Sequence, residues 1–387
     1  MSSPKLKVLA IVPSGFCFGL QEITINLFAN LSSGIEPNFL VTRWNDGEFI
    51  KMLNRYRFGY VLSWLGMFSR KLDWYNIRMS LHALKKLPRL YYDLHKLYSK
   101  TKPDIIYFAN HHELLLLLPF LFFSRIKVVC HMHDPPPAIP FQKITFRLYG
   151  KLTNRFIAIS NDVRTRLIDL GCDGNKISVV HNGVRVPPVP CAERKSTFKP
   201  RFSWPDDSFI VGITGQMTAT KGHEDLLEAI SLAVAKIPRI RLVIGGKVME
   251  PLFSKLNNLI VERHLSHIVS FSGWAEDVTE FYEAIDLYVL ASRHDEGYGL
   301  VVAEAMAFGI PVVITRSGGA TEIVEDGVNG FIVPKSNIDM MAERILRLSN
   351  TPNIYSSFGL NARKRIESDF SIETSANRFE EVLRSVM

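Results

Sequence analysis

Apolar runs of strand length alternate with helix-like segments along nearly the whole chain, and this alternation limits the fold more than any other feature. Repeated strand–helix–strand units are the pattern of a parallel sheet covered by helices. In the first half LKVLAIVP, PNFLVT, DIIYFA, IKVVCHMHD and RFIAIS read as strands, with a helix over 19–31 after the first. In the second half SFIVGIT, IRLVIGG, IVSFSG, DLYVLAS and IPVVIT repeat the pattern. Between them VRVPPVPCAERKSTFKPRFSWPDD is rich in proline and charge and poor in periodicity, which marks a linker. A chain of 387 residues can hold two cores. The expected class is α/β, with two doubly wound domains and a cleft between them. The domains run over 1–186 and 208–365, the linker over 187–207 and a closing helix over 366–387.

Hydrophobic content of 47% and charged content of 22% exclude global disorder. Cys17, Cys130, Cys172 and Cys191 lack paired metal-type spacing, which favours reduced thiols in a cytosolic compartment. The apolar stretch after Lys5 is too short for a signal-peptide core and reads as the first strand. LLLLLPFLFF (Leu114 to Phe123) is about half the length needed to cross a bilayer and reads as a buried helix. The net charge of +8 is concentrated: Lys51 to Lys102 holds twelve Lys or Arg against two Asp, interleaved with ten aromatics such as Trp64, Phe68 and Trp74. Such a stretch suits an anionic membrane surface, with cations outward and rings at the interface. The alternative is a solvated helical face over the first core.

The segment RHDEGYGLVVAEAMAFGIPVVIT carries the chemistry. A strand ending at Ser292 opens through Gly297 and Gly299 into a helix over 300–308, and Gly309 and Pro311 stop that helix before the next strand. Loops after parallel strands line the crevice where open α/β sheets bind ligands, and a helix start offers unpaired N–H groups to an anion. Glu296 lies in the loop and Glu304 in the helix, with seven residues between them. Carboxylates beside bound phosphate repel it, so these two suit neutral hydroxyls, in which sugars and ribose are rich.

This segment resembles the retaining family 4 glycosyltransferases, the group 1 glycosyl transferases, whose signature is Glu, seven residues, Glu. SGGATEIVEDGVNGFIVP is similar to the family's donor-site continuation, ATKGHEDLLEAI to its Lys-Gly helix start and ISVVHNGV to its turn before the linker. The resemblance implies the GT-B architecture, two Rossmann-like domains facing each other across a cleft, with a last helix that crosses back onto the first domain. It implies that Glu304 takes the ribose hydroxyls and Glu296 those of the transferred sugar. Lys221 would contact the diphosphate, and backbone groups of Gly297, Tyr298, Gly299 and Leu300 would help hold sugar and phosphates. It places His133 where the family reaches the donor sugar, and Gly19 in the glycine loop before the first helix. Two positions depart from the family pattern. Gln216 stands where an arginine is usual, so another cation such as Arg293 or Arg185 is needed or activity is weak. Phe18 stands where a glycine is common, with Gly15 as a partial substitute.

His131, His133 and Asp134 suggest a metal, but alternation puts both histidines on one strand face and no further ligands cluster there. No metal or other cofactor is expected beyond the nucleotide-diphosphate sugar substrate, and His131 reads as a core residue. His111, His112 and Glu113 are lesser candidates for acceptor contact. The expected activity is retaining transfer of a hexose to a glycan or lipid-linked acceptor in envelope or polysaccharide synthesis, at the cytoplasmic face of the membrane. The alternatives are a catalytically degenerate membrane- or nucleic-acid-binding protein on the same scaffold, and a sugar-nucleotide hydrolase or epimerase. No nucleic-acid module is recognisable.

Overall fold

A computed structural model describes residues 4–13, 19–65, 73–136, 140–188, 202, 204–273 and 278–387, except the side chains of Tyr75, Asn76, Met79 and Pro140. The chain divides into two compact units, one of Met1–Gly183 with Ile372–Met387 and one of Val184–Ser371. Gly15, Cys17, Phe18, Phe68, Cys191 and most of the linker lie outside the described residues.

The first unit is built on a seven-stranded sheet of β1 (Leu6–Val12), β2 (Ile35–Thr42), β3 (Gly59–Ser63), β4 (Ile105–Phe108), β5 (Lys127–Met132), β6 (Arg155–Ala158) and β7 (Ile177–Val179). Every pairing is parallel, in the order β3-β2-β1-β4-β5-β6-β7. Its helices are α1 (Gly19–Ala29), α2 (Glu48–Arg55), α3 (Trp74–Thr101), α4 (His112–Leu116), α5 (Leu118–Ser124), α6 (Pro140–Leu152) and α7 (Asn161–Asp169). Right-handed crossovers put α1 and α2 on one face of this sheet and α3 to α7 on the other, because the strand order reverses after β3. Central strands covered on both faces read as unbroken apolar runs, and all four residues of β4 are buried.

The second unit repeats the design with β8 (Phe209–Thr214), β9 (Ile240–Gly245), β10 (Val269–Gly273), β11 (Leu287–Leu290), β12 (Val312–Thr315) and β13 (Gly330–Val333). They pair in parallel in the order β10-β9-β8-β11-β12-β13. The helices are α8 (His223–Val234), α9 (Leu252–Glu262), α10 (Thr279–Ala284), α11 (Leu300–Ala307), α12 (Ala320–Ile323), α13 (Ile338–Asn350) and α14 (Pro352–Asp369). Leu226, Leu227 and Ile230 of α8 pack with Met341 and Ile345 of α13 into the core over β8 and β9. Asn337 caps α13 by accepting from the Met340 amide at 3.0 Å. The last helix, α15 (Ile372–Ser385), belongs to the first unit, where Phe379 meets Phe28 and Tyr107 edge-on at 5.4 Å each.

Two sequence expectations change. The run Leu114 to Phe123 is not one buried helix but parts of α4 and α5, broken at Leu117 ahead of Pro119. A helix laid on a sheet buries one face only, so this uniformly apolar run leaves Leu115, Phe122 and Phe123 exposed. Strands β3, β7 and β13 were not anticipated; all three lie at the edge of their sheets. Among the described residues no helix is long and apolar enough to cross a membrane.

Candidate active site

In the second unit the strand order reverses between β8 and β11, and the loops leaving these neighbours meet at their C-terminal ends. The β8 loop ends in a 3-10 turn, Ala219–Lys221, followed by Gly222 at φ +67°. A Cβ there would fall 1.9 Å from the Ala291 carbonyl oxygen, so only glycine lets this loop lie against the end of β11. The Arg293 amide donates to the Thr220 carbonyl at 2.8 Å and ties the two loops together.

That approach brings Lys221 Nζ to 2.8 Å and 2.9 Å from the two carboxylate oxygens of Glu296. The Ser292 hydroxyl donates to Glu296 Oε1, while Thr315 Oγ1 donates to the Ser292 carbonyl at 2.6 Å. From the far side the Gly319 amide donates to the Glu296 carbonyl at 2.9 Å. Gly318, at φ +50°, leaves no room for a side chain, since a Cβ would stand 2.4 Å from that same oxygen. Glu296 is therefore fixed through both its backbone and its carboxylate.

Glu304 projects from α11, where its Oε2 accepts from the Tyr282 hydroxyl at 2.7 Å. Tyr282 is buried, and burial followed by the Glu304 charge holds its phenol well above the ordinary range, so it stays a donor. Gly299 precedes α11 and no side chain caps it. The ring of Tyr298 is buried, with its centroid 6.5 Å from that of Phe370, which leaves backbone as what 297–300 can offer a ligand. Gln216 is exposed, and the neighbouring Met217 amide donates to the Lys247 carbonyl at 3.4 Å. Arg293 is otherwise engaged: it contacts both Asp225 oxygens at 2.9 and 2.5 Å and Glu224 at 2.8 Å. Burial alone would raise Asp225, but hydrogen bonds and charge from Arg293 hold it below the usual carboxylate range. Lys247, a cation on the loop leaving β9, thus meets the residue after Gln216 through its backbone.

In the first unit His133 follows β5 and is buried, and neither ring nitrogen has a partner among the described residues. Burial pushes its pKa down to about 3, so the ring is neutral at pH 7. His131 lies 4.1 Å from it, centroid to centroid, and shares a 2.8 Å hydrogen bond with Tyr107 through Nδ1. Glu113 is buried and its carboxyl is pushed up to about 8. Gly19 opens α1 and is exposed, while Phe18 and Gly15 lie outside the described residues. Cys130 and Cys172 are free and buried. Among the described residues no three His, Cys, Asp or Glu side chains gather closely enough to hold a metal.

Residues 194–365 match the family described as Glycosyl transferases group 1, and residues 54–186 match Glycosyltransferase Family 4. The chain belongs to the glycosyltransferases, its second half to the group 1 type. Among curated relatives, the capsular polysaccharide biosynthesis glycosyltransferase CapM of Staphylococcus aureus is 29% identical over 229 residues, 56% of this chain and 57% of that protein. The putative glycosyltransferase EpsD of Bacillus subtilis is 30% identical over 218 residues, 55% of this chain and 56% of its own length. The chain thus spans a little over half the length of these relatives. In fold it is similar to HepE from Anabaena, solved in complex with UDP and glucose, with a TM-score of 0.82 and 23% identity, covering 98% of this chain and 100% of that one. The two Rossmann-like units are of the GT-B type.

Ser292, Thr315, Tyr282 and Lys247 are absent from the sequence reading of the site. Ser292 was legible as the last polar residue before a loop carrying Glu296, whereas Tyr282 lies 22 residues from Glu304 on a helix with no motif of its own.

Proposed function

We propose that this chain transfers a hexose from a nucleotide-diphosphate sugar to a glycan or lipid-linked acceptor of the cell envelope, with retention at the anomeric carbon. The observation that carries this reading is Lys221 held between the start of α8 and the Glu296 carboxylate, beside uncapped α11. A bound diphosphate near α11 would face the amides of the first turn and the Lys221 ammonium. Lys221 then stands between two anions, neutralising the phosphate while it and Ser292 orient Glu296 toward hydroxyls of the sugar. Glu304, oriented by Tyr282, takes the ribose hydroxyls. Gln216 donates hydrogen bonds to phosphate, and Lys247 is the compensating cation. His133 and Gly19, in the first unit, are the residues that the family resemblance assigns to the transferred sugar and the phosphate.

In the transfer step the acceptor oxygen bonds to the anomeric carbon as the bond to the diphosphate oxygen breaks. The acceptor's proton passes to a departing phosphate oxygen, so no protein nucleophile is required. CapM and HepE support this reading through the capsular polysaccharide role in the name of one and the UDP and glucose held by the other. The test is a thermal-shift screen with UDP-, GDP-, ADP- and TDP-sugars, because a ligand of the native state raises its apparent stability. The stabilising donor is then incubated with acceptor and the anomeric configuration of the product read by NMR. Hydrolysis without transfer, or an inverted product, contradicts the proposal.

A further inference from the structure

The two helical layers of the first unit differ in outward chemistry. On one face of the sheet α1, α2 and α15 carry five Glu against four Lys or Arg. On the other, α3 to α7 carry eleven Lys or Arg and four acids, and within that layer α3, α5 and α6 carry nine Lys or Arg and one acid, Asp93, which is buried against Ser63 and Arg89. The same three helices leave large apolar side chains in the open, with Phe122 72%, Phe123 81%, Phe141 65% and Ile144 68% exposed. Helix α6 shows the pattern most clearly. Gln142, Phe146 and Tyr149 are buried, while Phe141, Ile144 and Leu148 share the outer side with Lys143, Arg147 and Lys151. The helices are neighbours in one layer: Tyr98 of α3 meets Phe120 of α5 at 5.3 Å, and His111, at the start of α4, meets Phe146 of α6 at 5.1 Å. A groove of about 800 Å³ runs between α3 and α5, lined among others by Tyr91, Tyr98, Phe120, Phe123, His95 and Lys102.

A core-facing helix gains nothing from phenylalanines on its solvent side, and a protein-binding patch is depleted in lysine. Apolar knuckles set among lysine and arginine match an anionic bilayer surface, where rings enter the interface and cations meet headgroups. We propose that the outer surface of α3, α5 and α6 lies on an anionic membrane, with Phe122, Phe123, Phe141 and Ile144 entering the interface. This deepens the reading of a lipid-linked acceptor and extends the membrane contact expected over 51–102 to two helices outside that stretch.

Vesicle co-sedimentation tests it on the full chain, using phosphatidylcholine with about one third phosphatidylglycerol against phosphatidylcholine alone. Wild-type protein should bind the anionic vesicles, and salt should weaken the binding. Lys143→Glu with Lys151→Glu should reduce affinity by at least about thirty-fold, the loss of two attractions of about 1 kcal/mol each at such a surface. Phe141→Ser with Ile144→Ser should also release the protein, since apolar insertion is then lost. Lys236→Glu with Lys364→Glu, the same charge change on exposed residues of the other unit, should bind as wild type does. Donor binding, followed in all variants by thermal shift, should not change, so failure of the donor reading is scored separately. The proposal is overturned if wild type ignores anionic vesicles at low salt or if the control loses as much affinity. It is also overturned if Phe141→Ser with Ile144→Ser leaves vesicle binding intact and instead dissociates a dimer in sedimentation equilibrium.

Discussion

Lys221 makes two hydrogen bonds to Glu296, and each partner is half-buried or less exposed, so this ion pair is worth more than a solvated one. If the lysine also meets the leaving diphosphate, Lys221→Ala removes one charge-assisted bond of about 1.5–3 kcal/mol from the transition state. Turnover should fall by about 10- to 150-fold. Unchanged turnover in steady-state assays would place the phosphate cation elsewhere, with Lys247 the next residue to change. Glu113 makes a prediction about stability. Burial raises its carboxyl from the ordinary 4.5 to about 8, so between those values the folded chain holds a proton that the unfolded chain releases. Stability must therefore decline as pH rises through that window. Glu113→Gln keeps the shape without the titration and should stabilise the chain on the order of 3 kcal/mol at pH 7, and by little below pH 4.5. Urea unfolding at pH 4, 7 and 8 checks this; a gain independent of pH would remove the explanation.

Helix α15 lies 348 residues from the loop it closes. Its Glu380 accepts from the amide and hydroxyl of Ser32 at 2.8 and 2.7 Å, while Phe379 enters the aromatic cluster over β4 and β5. Phe379→Ala should cost about 3–5 kcal/mol in chemical denaturation, and a loss below about 1 kcal/mol would mean the helix only rests on the surface. At this scale the sequence is readable where one rule dominates. The strand, loop and helix around Glu296 followed from an apolar run, two glycines and a stop at Gly309, which adopts φ +76°. The Leu114 to Phe123 run misled because hydropathy reports how apolar a segment is, not how much cover its neighbours supply. Contacts such as Tyr282 with Glu304, or Arg293 with Asp225, depend on which strands become neighbours. No local pattern in the chain specifies them.

Both sheets have the doubly wound order that puts loops at a switch point, and in the second unit Lys221 and Glu296 fall at those loops. The proposed chemistry rests on lysine, glutamate and helix-start amides, so transfer should survive EDTA; abolition by chelator with rescue by Mg²⁺ or Mn²⁺ would contradict it. The central claim is that Glu304 and Glu296 divide one donor between ribose and sugar. Calorimetric titration of the nucleoside diphosphate tests this division directly, with wild-type, Glu304→Ala and Glu296→Ala proteins compared side by side. Glu304→Ala should lose nucleotide affinity by about tenfold or more, since the bond that a ribose hydroxyl donates to its carboxylate is worth about 1.5–3 kcal/mol. Glu296→Ala should bind the nucleotide nearly as wild type does while losing turnover. Equal loss of nucleotide binding in both variants, or none in either, would contradict the account.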